Sequence, residues 1–396
     1  MRILLLFVFF VSAALANAQH RLSGTLLEAP SNQPIQGSSV FITGTSLAAI
    51  SDKNGFFEIK NIPDGTYTLV FSHVGYKTIT YDFSTQKMPP KLKVLMSIQE
   101  VMLENVVVGG YEKETWEKWG RTFLDYFVGS SANADQVSIA NKDVISFRFY
   151  KKQNRLEVVA HEPINIINKA LGYEIGYELE KFEINFKERT SFFSGYTLFS
   201  ELKGNNRQKK RWQEKRQLAY LGSMMHFFRT AYHGDMAAEG FEVRRVRKNR
   251  NTEKDRVRMI FDIPLKRKMI SVDHITGDSA DYYRSVLQQP DVLLEFGPDL
   301  LPADSFMITH EGARYASWPH YLQIVNKHKI EEKKYLEFYG ENRNVFPARS
   351  LISLQHVNGL VIDPNGNWAP AEGIMSEWYW SWSEKIANML PANYQR

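Results

Sequence analysis

The chain has 396 residues, with 49 Lys and Arg against 44 Asp and Glu, 13% aromatic residues and no cysteine. A formal charge of +5 over that length is too dilute to imply a polyanionic partner by itself, and the lack of cysteine excludes disulfides, a lipid-anchor thiol and thiol chemistry. The length allows one small and one larger domain, each closing its own core.

At the start, Arg2, the apolar run Ile3 to Val11 and the small residues Ala16-Asn17-Ala18 read as a charged n-region, an h-region too short to span a bilayer and an A-x-A cleavage site. Residues 1–18 are therefore expected to be a signal peptide. The mature protein is expected outside the cytoplasm, in the periplasm or at the outer membrane of a Gram-negative bacterium. After residue 18 no apolar stretch reaches the roughly 20 residues a membrane helix needs.

Residues 20–98 break into short alternating runs with strong turn signals between them. Asp52-Lys53-Asn54-Gly55 separates Ala48-Ala49-Ile50 from Phe56-Phe57-Glu58-Ile59, and its Asn-Gly predicts a tight hairpin. Pro63-Asp64-Gly65 predicts the next turn. In Thr66 to Phe71, Tyr67, Leu69 and Phe71 share one face and Thr66, Thr68 and Val70 the other, the two-residue period of a strand with an inner side. About six or seven such strands predict a small β-sandwich.

The set Ser23-Gly24-Thr25-Leu26, Pro34-Ile35-Gln36-Gly37-Ser38-Ser39-Val40, Gly44-Thr45, Asp52-Lys53-Asn54-Gly55-Phe56-Phe57, Ile62-Pro63-Asp64-Gly65-Thr66-Tyr67 and His73-Val74-Gly75-Tyr76-Lys77 resembles the carboxypeptidase regulatory-like domain. The resemblance implies a seven-stranded transthyretin-like β-sandwich and no peptidase activity, because in metallocarboxypeptidases this module is the non-catalytic partner. The same module extends the N-terminus of TonB-dependent outer-membrane receptors. Met102-Leu103-Glu104-Asn105-Val106-Val107-Val108-Gly109-Gly110-Tyr111 is similar to the stretch that follows it there, although an ordinary edge strand has the same pattern. The remaining chain is too short for a receptor's plug and barrel.

Residues 99–142 read as a linker strand and a helix. From Tyr111 to Gly129, Trp116, Trp119, Phe123 and Phe127 recur at helical steps while Glu112, Lys113, Glu114, Glu117 and Lys118 face water, predicting a lid helix for the next domain. Residues 143–396 read as an α+β domain with a mostly antiparallel sheet. Its expected strands are Val144 to Tyr150, Leu156 to Ala160, Tyr173 to Phe186, Arg256 to Ile263, Tyr321 to His328, Lys334 to Tyr339 and Leu351 to Val357.

Between Asn205 and Ala231, Leu218, Leu221, Met225 and Phe228 fall at helical spacing, predicting one amphipathic helix with a basic start at Lys209, Lys210, Arg211, Lys215 and Arg216. Such a start opposes the helix dipole. The run Arg244-Arg245-Val246-Arg247-Lys248-Asn249-Arg250 is a second basic segment. An exported protein seldom meets nucleic acid, so no nucleic-acid partner is expected, and anionic lipid is the alternative to a plainly solvated face. Near the end, Trp368, Trp378, Tyr379, Trp380 and Trp382 are candidates for a platform that stacks on sugar rings; the competing reading is a helix over Ile374 to Met389 whose aromatic stripe joins the core.

No catalytic residues, metal ligands or cofactor are expected. His328-Lys329-Ile330-Glu331 has the His-x-x-Glu spacing of zinc peptidases, but the composition produces such a match by chance and the third ligand would have to be His356. In the adjacent pairs His161-Glu162 and His310-Glu311 the side chains point to opposite faces of a strand. Leu156 to Tyr173, Tyr220 to Phe228 and Gly359-Leu360-Val361 also resemble a group of exported proteins in which this sandwich precedes an uncharacterised region, which implies no activity. The expectation is a non-catalytic exported envelope protein that acts as a binding or interaction module. Its binding residues would be Trp368, Trp378, Tyr379, Trp380, Lys209, Lys210 and Arg211, and its partners an envelope protein, a glycan or an anionic lipid. The alternatives are a small outer-membrane β-barrel and a metallocarboxypeptidase-like hydrolase.

Overall fold

A computed structural model describes residues 20–99, 110–260, 277, 279–355 and 359–396. Residues 1–18, expected to be a signal peptide, together with His356 and residues 102–109 of the receptor-like stretch lie outside the described residues.

Seven strands come first: β1 (His20–Ala29), β2 (Ser39–Ile42), β3 (Ala48–Ile50), β4 (Phe56–Ile62), β5 (Thr66–Ser72), β6 (Ile79–Ser84) and β7 (Leu92–Ser97). They form two sheets in the orders β4-β1-β7 and β3-β2-β5-β6, with β1 and β7 parallel. Leu26, Phe57, Leu69, Phe71 and Met96 fill the space between them. The fold is the expected sandwich, but Ala48–Ile50 and Phe56–Ile62 do not form the hairpin predicted from Asn54-Gly55. The chain there passes from one sheet to the other. The Asp52 carboxylate accepts from the backbone of Asn54 (2.8 Å) and Phe56 (2.9 Å), and Gly55 (φ 71°) sits so close to Leu26 O that a Cβ would lie 2.3 Å from it.

The next elements are β8 (Glu112–Glu114), α1 (Trp116–Phe127), β9 (Val137–Ile139), β10 (Ile145–Tyr150), β11 (Arg155–Ala160), β12 (Ile164–Asn168), β13 (Tyr173–Asn185) and β14 (Thr190–Glu201). Their strands make one seven-stranded antiparallel sheet in which β14 pairs only with β13. Helix α1 is part of this lobe's core: Phe123 and Phe127 are fully buried, stack at 4.9 Å, and meet Phe147, Tyr177, Phe182 and Phe193.

Two helices follow, α2 (Asn206–Tyr220) and α3 (Met224–His233), where one was predicted. The break lies at Leu221-Gly222-Ser223: Gly222 adopts φ 73°, and the Ser223 hydroxyl accepts from the His226 amide (3.1 Å) as N-cap of α3. Leu218, assigned to the apolar stripe, is 56% exposed.

The second lobe contains β15 (Phe241–Arg250), α4 (Thr252–Ile260), α5 (Ala280–Gln288), β16 (Val292–Phe296), β17 (Met307–His310), β18 (Ala313–Ala316), β19 (Tyr321–Ile330), α6 (Lys333–Tyr339), β20 (Pro347–Leu354), β21 (Leu360–Ile362), β22 (Trp368–Ala369), β23 (Ile374–Trp378) and α7 (Tyr379–Ser383). A five-stranded sheet runs β16-β15-β19-β20-β23 and a four-stranded one β17-β18-β21-β22. Of the predicted strands, Lys334 to Tyr339 is helical, and so is Arg256 to Ile263 as far as Ile260, its residues 261–263 lying outside the described residues. Residues from Thr252 coil because Asn251 Oδ1 accepts from the Lys254 amide (3.0 Å) and Glu253 and Asp255 occupy the positive first turn. Lys333–Tyr339 buries Tyr335 and Leu336 and stops at Gly340 in the left-handed conformation (φ 66°). The helix predicted over Ile374 to Met389 is a strand, then a single turn, because Trp378 takes φ 64° and β23 pairs with β20.

Among the described residues the region after residue 110 therefore has two large cores, besides a small cluster of Val257, Ala280, Val286 and Leu287. One draws on α1 through Tyr220 plus Ile386, Ala387 and Leu390; the other draws on Met224 through Trp382. The chain crosses between them at Leu221-Gly222-Ser223 and returns at Ser383-Glu384-Lys385. Among the described residues every sheet is open, the seven-stranded one ending in β8, β9 and β14, unlike the closed β-barrel expected as an alternative.

Candidate functional site

The seam between the lobes carries openings on both sides of the segment Trp378 to Lys385. On one side lies a groove of about 1570 Å³. One wall is the N-terminal half of β14, from Thr190 to Tyr196; the other is β23 with Phe338 and Tyr339 of α6. Both β14 and β23 are edge strands. Half-exposed aromatic faces line it: Tyr126, Phe192, Tyr196, Tyr321, Phe338, Tyr339 and Trp378. Its charges are mixed in sign. Lys181, Arg189, Lys248 and Lys385 stand among Asp125, Glu180, Glu188, Glu372 and Glu377, and Lys248 donates to both Glu377 oxygens (2.5 and 2.7 Å) while lying over the Tyr321 ring (4.4 Å).

Trp378 enters α7 with φ 64° and ψ −130°, a region closed to residues with a Cβ unless the surroundings enforce it. The enforcement is visible. Ser350 pairs with Trp378 across the sheet, its hydroxyl accepts from the Trp380 amide (3.1 Å), and the Trp380 indole N–H donates to Gly222 O (2.7 Å).

Behind α7 is a cavity of about 260 Å³. Its lining includes Asn133, Lys215, Ser223, Lys329, Glu332, Tyr379, Ser383, Glu384 and Asn388. Burial pushes the Glu384 carboxyl up to about 7, against the Met224 amide and the Lys329 and Lys385 ammonium groups that favour its charge. Burial likewise lowers Lys329, and it brings Lys385 down to about 8. These groups hold backbone. Glu384 receives the first N–H of α3, the Glu332 carboxylate accepts from the Ala132 amide (3.0 Å), and the Lys329 ammonium donates to Leu218 O (2.9 Å). Nearby, His226 is buried, its Nδ1 accepting from the Gly222 amide (3.1 Å) and its Nε2 3.2 Å from Glu239 Oε2; burial brings its pKa down to about 4.

The residues singled out in the sequence fall in different places. Tyr379 and Trp380 are 1% and 2% exposed, with Trp382 beside them, so the sugar-stacking platform does not exist as drawn: these rings are core of the second lobe. Trp368 is half-buried against Phe228 (5.6 Å). Of the set, Trp378 lines the groove, together with the edge of the otherwise buried Trp382. Lys209, Lys210 and Arg211 are exposed on α2, whose N-terminus is closed by a capping box between Asn205 and Gln208. Lys209 borders a separate cleft of about 650 Å³ with Trp212, Arg216 and Tyr394; Lys210 and Arg211 do not. Arg244 to Arg250 are the C-terminal part of β15. Glu331 is consumed by Arg343 (2.6 Å), whereas His328 is exposed, so the His-x-x-Glu spacing brings no pair together. Phe192, Tyr196, Phe338 and Tyr339 were missed, because what unites them is the meeting of two sheets far apart in sequence.

The sandwich also meets the first lobe. The Gly44 amide donates to Thr197 O (2.8 Å), the Phe199 amide to Thr45 O (2.9 Å) and the Thr197 amide to Thr43 Oγ1 (3.0 Å), so Thr43–Thr45 lies along the outer edge of β14 in a parallel bridge. Thr78 donates to Glu178 (3.0 Å), and Tyr196 meets Thr80. Val70, read on the face opposite Tyr67, Leu69 and Phe71, is buried too, beside its cross-strand partner Thr80.

Residues 22–108 match the family model of the CarboxypepD_reg-like domain. Among solved structures, a type II cohesin-X-dockerin complex from Acetivibrio cellulolyticus with a mutated N-terminal interface is 25% identical over 29% of this chain and 78% of that one, with a TM-score of 0.19. A DUF3823 family protein from Bacteroides ovatus is 10% identical over 47% of this chain and 83% of that one, TM-score 0.17. Scores this low carry no argument about fold or function. No curated protein matches the chain.

Proposed function

We propose that this chain is a non-catalytic, exported binding protein of the cell envelope, whose CarboxypepD_reg-like domain serves as an interaction module and whose interlobe groove holds an extended polymer. The observation that carries the reading is the groove itself, of about 1570 Å³, lined by aromatic faces and bounded by Trp378 in a strained backbone conformation that only the surrounding structure maintains. Such strain is retained where a side chain must point somewhere in particular. The mixed charges favour a ligand without a large net charge over an anionic lipid surface. Glu384, Glu332 and Lys329 of the cavity behind α7 are engaged in holding helix and loop backbone, which supports binding over catalysis.

Titration of the mature protein with envelope glycan fragments and with peptides, read by tryptophan fluorescence and calorimetry, tests this. Saturable binding that drops by about tenfold or more in Trp378→Ala is expected. Binding untouched by that substitution places the ligand elsewhere. Recovery in the cytoplasmic fraction with residues 1–18 retained would overturn the exported assignment.

A further inference from the structure

Resting on the groove reading above, we propose that the polymer is a polypeptide strand, added in extended conformation to the bare half of β14. The outer edge of β14 is already used as a template once. Over Thr197–Phe199 it exchanges backbone hydrogen bonds with Thr43–Thr45 of the sandwich. These outward-facing groups belong to residues 197 and 199. The alternation of a strand carries the same orientation back through Gly195 to Ser191, and this stretch lines the groove. Among the described residues no strand pairs with that half of the edge.

A row of backbone donors and acceptors continuous with an existing strand contact accepts main-chain N–H and C=O groups at β spacing, which a polypeptide has and a glycan lacks. Side chains of the added strand would alternate between the Phe192 and Tyr196 face and the opposite face. The mixed charges beside the edge, Lys181 and Glu180 among them, suit a segment of low net charge. Gly195 marks the site further: a Cβ there would lie 2.2 Å from Glu178 O, so the β13–β14 hairpin is drawn tight where the added strand would begin.

The test uses the mature protein and twelve-residue synthetic peptides selected from a random array, with cellohexaose and chitohexaose as glycan probes. For the tightest peptide, N-methylation of one alternate set of its amides is expected to cost about tenfold or more in affinity and of the other set less than about threefold, since a strand bonds through every second residue. Hydrogen exchange is expected to slow at the Ser191 and Gly195 amides in the complex. Equal loss from both sets, or no protection on β14, overturns strand addition. Hexasaccharide binding that is lost in Trp378→Ala, with no peptide bound, overturns strand addition but leaves the groove as a polymer site; if neither probe class binds, both readings fall.

Discussion

The two halves of the outer edge of β14 make an instructive pair. From Thr197 to Phe199 the edge is covered by Thr43–Thr45, its backbone groups are paired, and Phe199 is 1% exposed against Tyr173 (5.5 Å). From Thr190 to Tyr196 the same strand, with the same partner β13, borders an open groove. The backbone chemistry is identical, so the difference lies in what the rest of the chain brings to each half. An unpaired edge is a liability that folded proteins usually cover or blunt. Here one half is closed by the sandwich, and the other stays open behind a wall of aromatic side chains.

Substitutions should separate the two halves. Phe199→Ala removes a buried ring and should cost about 3–5 kcal/mol in chemical unfolding, whereas Phe192→Ala, on the groove side, should cost less than about 1.5 kcal/mol and weaken peptide binding instead. Equal losses would mean that the halves do not differ in burial. On the facing wall, Trp378→Gly should be more stable than Trp378→Ala by about 1–2 kcal/mol, because glycine relieves φ 64° and both lose the same indole; parity would remove the strain argument.

A smaller effect concerns the return crossing at Ser383-Glu384-Lys385. Glu384 has its folded pKa raised from the ordinary 4.5 to about 7, so the folded state holds a proton that the unfolded state has lost, and stability falls as pH rises through that window. His226 acts oppositely: lowered from 6.5 to about 4, it costs stability as pH falls through that range. Comparing the wild type with Glu384→Gln cancels the histidine contribution. The variant should gain relative stability between pH 4.5 and 7 and stay level above; a flat difference would show that the carboxyl is solvated. The smallest effect is expected on α2, where Lys210→Glu and Arg211→Glu should move the melting curve by no more than about 0.5 kcal/mol, with any gain coming from the helix dipole.

How much could be read in advance varied with the kind of signal. The sandwich was legible because its turns are encoded locally, by Pro63-Asp64-Gly65 and by Gly55, and its strands by strict alternation. Even there, which strands pair escaped, since a turn motif does not say whether the chain stays in one sheet. Helix α1 was legible from aromatic spacing, but its place in the first lobe's core was not. Lys334 to Tyr339 and the described part of Arg256 to Ile263 were misread as strands because short apolar runs carry both periods at once; Asn251 and Gly340 were the capping signals that could have decided. Gly222-Ser223 could likewise have announced the break between α2 and α3.

Composition and local pattern alone determined the absence of cysteine chemistry, the sandwich and its turns, the dominance of antiparallel strands, and the amphipathic stretches. These depend on a residue's near neighbours in the chain. The tertiary structure decided that the larger region has two large cores, that Tyr379 and Trp380 are buried while Trp378 faces a groove, and that half of β14 is covered and half bare. Each of these turns on which surfaces meet across residues 43, 192, 338 and 378. That choice is made by the packing of whole sheets against one another, which no window of sequence contains.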